Sequence, residues 1–152
     1  MKQITEYLST KVAQTKIKVT NDTIQNIVKD ELDRLGHDAD LNHIDVSGVT
    51  NMKYLFSCAD ADLGSKYCDL NADISRWDVS KVENMEWMFY GCKKFNQDLS
   101  QWNVGKVKNM YGMFYNCVNF NQNLSQWNIS NVEDMRCIFK NCLIKEEYKP
   151  HY

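Results

Sequence analysis

Apolar residues recur along this chain in two alternating rhythms. From Leu99 they run Leu99, Trp102, Val104, Val107, Met110, Met113-Phe114, Cys117 and Phe120, with mostly polar residues between. Trp102 and Val104 alternate with Gln101 and Asn103, the period of two that predicts a short strand. Val107, Met110, Met113/Phe114 and Cys117 follow at threes and fours, which predicts about two to three turns of helix.

The whole run repeats. Trp77, Trp102 and Trp127 are 25 residues apart, as are Met85, Met110 and Met135, and Phe89, Phe114 and Phe139. Phe95-Asn96-Gln97 returns as Phe120-Asn121-Gln122. An earlier, divergent copy starts at Leu41 with Ile44 in the tryptophan position. The four copies start at 41, 74, 99 and 124, so the first interval carries eight extra residues, near 59–70. One such unit cannot bury its own apolar face, and stacked copies make a continuous core. The predicted fold is therefore α/β: a solenoid of four strand–helix repeats over residues 41–144.

Residues 1–40 do not repeat and are expected to form a helical N-terminal cap, with an interaction arm as the functional alternative for the first helix. Ile4, Tyr7, Leu8 and Val12 fall on one face of a predicted helix over 2–13. Asn21-Asp22 followed by Ile24, Ile27, Val28, Leu32 and Leu35 predicts a second, capped helix, with Gly36 as its C′ residue. Residues 16–20 read as a strand or a linker. Residues 145–152, with the only proline at Pro150, read as a short cap or a frayed tail.

The Leu-x-x-Trp-x-Val element resembles the core of leucine-rich repeats. More specifically, Trp102-Asn103-Val104-x-x-Val107-x-Asn109-Met110-x-x-Met113-Phe114-x-x-Cys117-x-x-Phe120-Asn121-Gln122-Asn123-Leu124-Ser125 resembles the BspA-like surface-protein repeat family, also called DUF285, over residues 41–144. That resemblance implies a leucine-rich-repeat-like architecture. The family is met in bacterial surface proteins, lipoproteins and phages. It implies no enzyme activity and no catalytic residues.

Composition narrows the function classes. Apolar residues make up 43% of the chain, as in globular proteins. Twenty acidic against eighteen basic residues leave a net charge of −2, too small to argue for nucleic-acid binding. The first residues contain no apolar core of a secretory signal, so a cytoplasmic location is expected, with the cell surface as the alternative. No stretch approaches the roughly 18 apolar residues of a membrane span.

On the same reading the six cysteines are expected to be reduced. Cys92, Cys117 and Cys142, one repeat apart, read as small buried hydrophobes, and Cys137 as the most exposed thiol. There is no Cys-x-x-Cys, and the Asp60-Ala61-Asp62-Leu63-Gly64 run lacks the length and closing Glu of a calcium loop. His37, His43 and His151 match no catalytic motif, and no phosphate loop, Gly-x-Ser-x-Gly or His-Glu-x-x-His is present. No cofactor, no metal and no catalysis are expected.

Two groups of residues remain as candidates for contacting a protein partner. Trp87, Tyr90, Tyr111 and Tyr115 stand off the repeat's core positions, and Trp and Tyr dominate interface hot spots. Their alternative role is lateral packing between neighbouring repeats. Arg76 and Asp78, Gln101 and Asn103, and Gln126 and Asn128 are the outward residues of the predicted strands. They form either a binding face or a solvated ladder that serves the fold. The expected function is a non-enzymatic, monomeric protein-binding module. Two settings are in view: an intracellular binder or inhibitor encoded by a phage or mobile element, and a bacterial surface or adhesion domain.

Overall fold

In the computed structural model the structure describes residues 15–58 and 67–151. Its elements are β1 (Ile17–Lys18), α1 (Ile24–Leu35), β2 (Ile44–Asp45) and a short 3-10 turn, Glu146–Tyr148. The expected leucine-rich-repeat-like solenoid of four strand–helix repeats is not formed. Among the described residues the repeats contain no helix, and their only named strand is the two-residue β2.

What replaces strand and helix is a run of tight turns. Apolar residues three apart are the two ends of one turn, closed by a bond from the later N–H to the earlier C=O. Trp102 donates to Leu99 (3.1 Å), Val107 to Val104 (2.9 Å), Met113 to Met110 (3.1 Å), Cys117 to Phe114 (3.0 Å) and Phe120 to Cys117 (3.1 Å). The spacing of three that resembles a helical stripe is thus the i, i+3 geometry of turns.

A helix over 107–117 is interrupted by left-handed residues, Gly112 (φ 59°) and Asn116 (φ 60°). The same two places hold Trp87 (φ 55°) and Gly91 (φ 74°) one copy earlier, and Cys137 (φ 59°) and Asn141 (φ 57°) one copy later. No right-handed helix runs through such positions.

The backbone accounting explains the arrangement. Within each turn run, alternate N–H groups close turns and the others cross to the next copy. Met88, Tyr90 and Cys92 donate within their own copy. Met85, Trp87, Phe89 and Gly91 donate to the carbonyls of Asn109, Tyr111, Met113 and Tyr115 at 2.8–2.9 Å. The pattern holds between the first and second copies and between the third and fourth. Parallel bridges Asn51–Asn84, Asn84–Asn109 and Asn109–Asp134 mark the register.

Side chains finish each turn. Asn51, Asn84, Asn109 and Asp134 each accept the N–H two residues ahead, as Asx turns do. Trp77, Trp102 and Trp127 donate their indole N–H to the carbonyls of Leu41, Ile74 and Leu99 of the preceding copy. Phe56, Phe89, Phe114 and Phe139 stack in a column with centroids 5.5, 5.4 and 5.7 Å apart. Cys92 and Cys117 are fully buried, and their thiols donate to the carbonyls of Phe56 and Phe89. Burial pushes both thiols up in pKa.

Among the described residues, 15–40 do not form the expected all-helical N-terminal cap: a strand precedes one helix. The helix expected over 2–13 lies outside the described residues. Residues 17–18 pair as a parallel strand, Ile17 opposite Ile44 and Lys18 opposite Asp45. α1 follows and buries Ile24, Val28 and Leu32 in the core. Gly36 ends it at φ 94°, its N–H on the Leu32 carbonyl. Asn21 does not cap the helix. Its Oδ1 accepts the N–H groups of Thr50 and Asn51, and its Nδ2 donates to Thr50 Oγ1. The side chain thereby takes the place that Thr50's carbonyl fills for Glu83 and Asn84.

One cysteine expectation is also corrected. Cys58 and Cys68 form a disulfide, with Cα atoms 5.3 Å apart. Cys58 does not belong to the buried cysteine column: in register it matches Gly91, whose added Cβ would stand 3.2 Å from Cys58 Cβ. Cys68, ten residues on, stands at its side. Cys137 is exposed. At the other end Ile144 is buried and the Tyr148 carbonyl accepts the Leu124 N–H, so residues 144–148 fold back onto the fourth copy.

Candidate interaction surface

The turn run that replaces the predicted helix projects Trp87, Tyr90, Tyr111 and Tyr115 from two neighbouring copies, and their rings meet. Trp87 stands edge-on to Tyr90 at 5.1 Å and to Tyr111 at 4.8 Å, and tilted to Tyr115 at 5.7 Å. Tyr90 and Tyr115 lie 5.4 Å apart. Such edge-to-face pairs hold rings in fixed orientations. All four residues are half-buried. They pack laterally between copies and still present a shared aromatic surface.

Trp87 rests on Gly112. A Cβ on that glycine would fall 2.4 Å from the indole, so the next copy leaves the ring its seat by having no side chain. Both residues hold the same left-handed place in their copies, with Tyr54 before them and Cys137 after. Tyr54 is 44% exposed, so the aromatic row extends to the first copy.

Cations rim the patch. Arg136 lies over the Tyr111 ring (5.4 Å), Lys140 over Tyr115 (5.5 Å) and Lys53 over Tyr54 (5.1 Å). Arg136 also pairs with Asp134 at 2.7 Å, and Lys53 with Glu86 at 2.9 Å. These partners raise the pKa of both cations, chiefly through the side-chain hydrogen bond. The sequence motifs single out neither these cations nor Tyr54. Aligning the four copies on the position of Trp87 finds Tyr54 at once.

The polar candidates occupy a different turn. Asp78, Asn103 and Asn128 each accept the N–H two residues ahead, from Ser80, Gly105 and Ser130. Their side chains close local turns while remaining exposed. The Ser80 hydrogen bonds hold the Asp78 carboxyl below the usual carboxylate range. The Arg76 N–H is bonded to Asn42 Oδ1 and its guanidinium reaches Asp40 at 3.5 Å. Gln101 Nε2 donates to Ser100 Oγ at 3.5 Å, and Gln126 is exposed.

Two histidine–carboxylate pairs escape any motif. His43 Nε2 lies 2.6 Å from Glu31, which also takes the Arg34 guanidinium at 2.7 Å, and His37 lies 2.5 Å from Asp69. They tie α1 and the turn after it to the first copies. Among the described residues no group of three or more His, Cys, Asp or Glu side chains could hold a metal ion. The Asp60–Gly64 run lies outside the described residues. No described helix is long and apolar enough to cross a membrane.

No curated protein and no solved structure gives a significant match to this chain. A family model does match, over residues 27–149, and so covers α1 from Ile27 on, every copy of the repeat and the folded-back C-terminal segment. The chain belongs to the family described as "Mycoplasma protein of unknown function, DUF285".

Proposed function

We propose that this chain is a non-enzymatic protein-binding module whose contact surface is the aromatic patch of Trp87, Tyr90, Tyr111 and Tyr115. The observation that carries this reading is the backbone of Trp87. A bulky aromatic in the left-handed region costs about 1–2 kcal/mol, and the equivalent place one copy later is a glycine. The fold is served by glycine there. The tryptophan adds a large, oriented, half-buried ring instead, and Trp is enriched among interface hot spots.

The test is binding of partners captured from the source cell by the parent and by Trp87→Gly, which keeps the backbone conformation. Partners held at undiminished affinity by a folded Trp87→Gly protein would sink the assignment.

Of the two expected settings, cytoplasm and cell surface, the Cys58–Cys68 disulfide favours the surface, because structural disulfides persist in oxidising compartments. Thiols can be alkylated in source cells before lysis and mapped by mass spectrometry. Free, alkylated Cys58 and Cys68 would return the reading to the cytoplasmic binder.

A further inference from the structure

Among the described residues, the fourth copy leaves its crossing bonds unmade. In the first three copies the outward N–H groups of the turn run reach carbonyls of the following copy, twelve bonds of 2.7–3.0 Å in all. The matching groups of the fourth copy are the N–H of Met135, Cys137, Phe139 and Asn141. None of them has an acceptor among the described residues. The intervening Ile138, Lys140 and Cys142 close their own turns as elsewhere.

The apolar side chains tell the same story. Val107, Met110, Phe114 and Cys117 are 0% exposed, whereas Val132, Met135, Phe139 and Cys142 are only partly covered. Leu143 beside them is 75% exposed. The segment 144–148 lies over another part of this end and bonds Leu124, so none of the described residues covers the row 135–141.

We propose that this row is a docking edge for an extended backbone segment of a protein partner. The segment lies parallel to 135–141, turns alternate carbonyls to the four N–H groups and sets an apolar side chain over Phe139. The three internal junctions specify this occupant. Each covers an identical donor row with parallel backbone, alternate carbonyls and one ring of the phenylalanine column. Unpaired edge donors beside apolar side chains are the features that strand addition uses. A second copy cannot supply its own first repeat without rearrangement, because Asn21 already occupies the Thr50 and Asn51 N–H groups and β1 pairs with β2.

The probe is a synthetic peptide with the sequence of residues 104–120, the turn run that covers the second copy. Amide hydrogen exchange is followed residue by residue by NMR on the full chain, with this peptide and with a scrambled one. The expected result is exchange slowed about tenfold or more at Met135, Cys137, Phe139 and Asn141, with Ile138 and Lys140 unchanged. Phe139→Glu abolishes the effect and Phe139→Leu keeps it.

No protection at saturating peptide, protection by the scrambled peptide, or uniform protection of 135–141 would overturn the proposal. So would protection that rises with protein concentration alone, which would make the occupant a second copy. If Phe139→Glu fails to fold, the alternating pattern in the parent still decides.

Discussion

The indole of Trp87 fills the space in which a Gly112 side chain would stand: a Cβ there would lie 2.4 Å from Cζ3 and 2.5 Å from Cε3. Gly112 also sits at φ 59°, where any other residue is strained. Gly112→Ala therefore combines a backbone penalty with a ring displaced from its seat, and should destabilise by about 2–4 kcal/mol in urea unfolding. In the Trp87→Gly background the steric part disappears, so the same substitution should cost clearly less. Equal costs in the two backgrounds would mean that the ring does not rest on the glycine.

The disulfide makes a separate claim. Cys58 and Cys68 are ten residues apart, and closing a loop of that size stabilises by about 2–3 kcal/mol in the chain-entropy account. Cys58→Ser/Cys68→Ser should lower Tm, and dithiothreitol should lower the parent to the same value. Cys92 and Cys117 are buried with thiols raised in pKa, so they should stay unlabelled by iodoacetamide in the native state while Cys137 reacts. A parent Tm indifferent to reductant would contradict a formed bridge.

Acid should act in part through the two carboxylates that meet histidines. The Arg34 hydrogen bond, followed by that of His43, holds Glu31 below its ordinary 4.5, and His37 does the same for Asp69 relative to 3.8. A carboxyl depressed in the folded state stabilises above its unfolded pKa. That contribution is lost as pH falls through the folded value. Stability should therefore decline as pH drops below about 4.5, and Glu31→Gln should flatten part of this acid limb. The check is urea midpoint against pH for the two proteins.

The repeat was legible because its markers are chemically unusual and evenly spaced. Trp102, Met110 and Phe114 each recur 25 residues away on both sides. Secondary structure was not legible from the same residues. Val107, Met110, Met113 and Cys117 at spacings of three and four fit a helical face as well as a chain of turns. The turn chemistry that separates the two lies in the polar positions: Asn109 closes an Asx turn, and Gly112 and Asn116 take left-handed backbone. Weighing those residues against the apolar stripe would have argued for turns.

The aromatic patch was legible as residue types and illegible as a patch. Its assembly depends on Gly112 and on junction bonds between copies, which span 24 residues or more of sequence. Cys58 could have been found by register alone, since it faces Gly91 and lies outside the column of Cys92, Cys117 and Cys142.

Met110 and Met135 hold the same place in successive copies, and the stack predicts that they differ in weight. Met110 is 0% exposed, with its N–H bonded to the Asp134 carbonyl of the next copy. Met135 lines the open row, where its side chain is only partly covered and its N–H meets no acceptor among the described residues. An aspartate at the first place buries a charge with no partner. That costs about 3–5 kcal/mol, a large part of a small protein's total stability of about 5–15 kcal/mol. Met110→Asp should thus be unfolded or close to it at 25 °C by circular dichroism. At the second place the carboxylate can turn to water, so Met135→Asp should fold and lose about 1–2 kcal/mol, mainly apolar contact. Two variants of equal stability would show that the fourth copy is as well covered as the third, and the open edge would have to be abandoned.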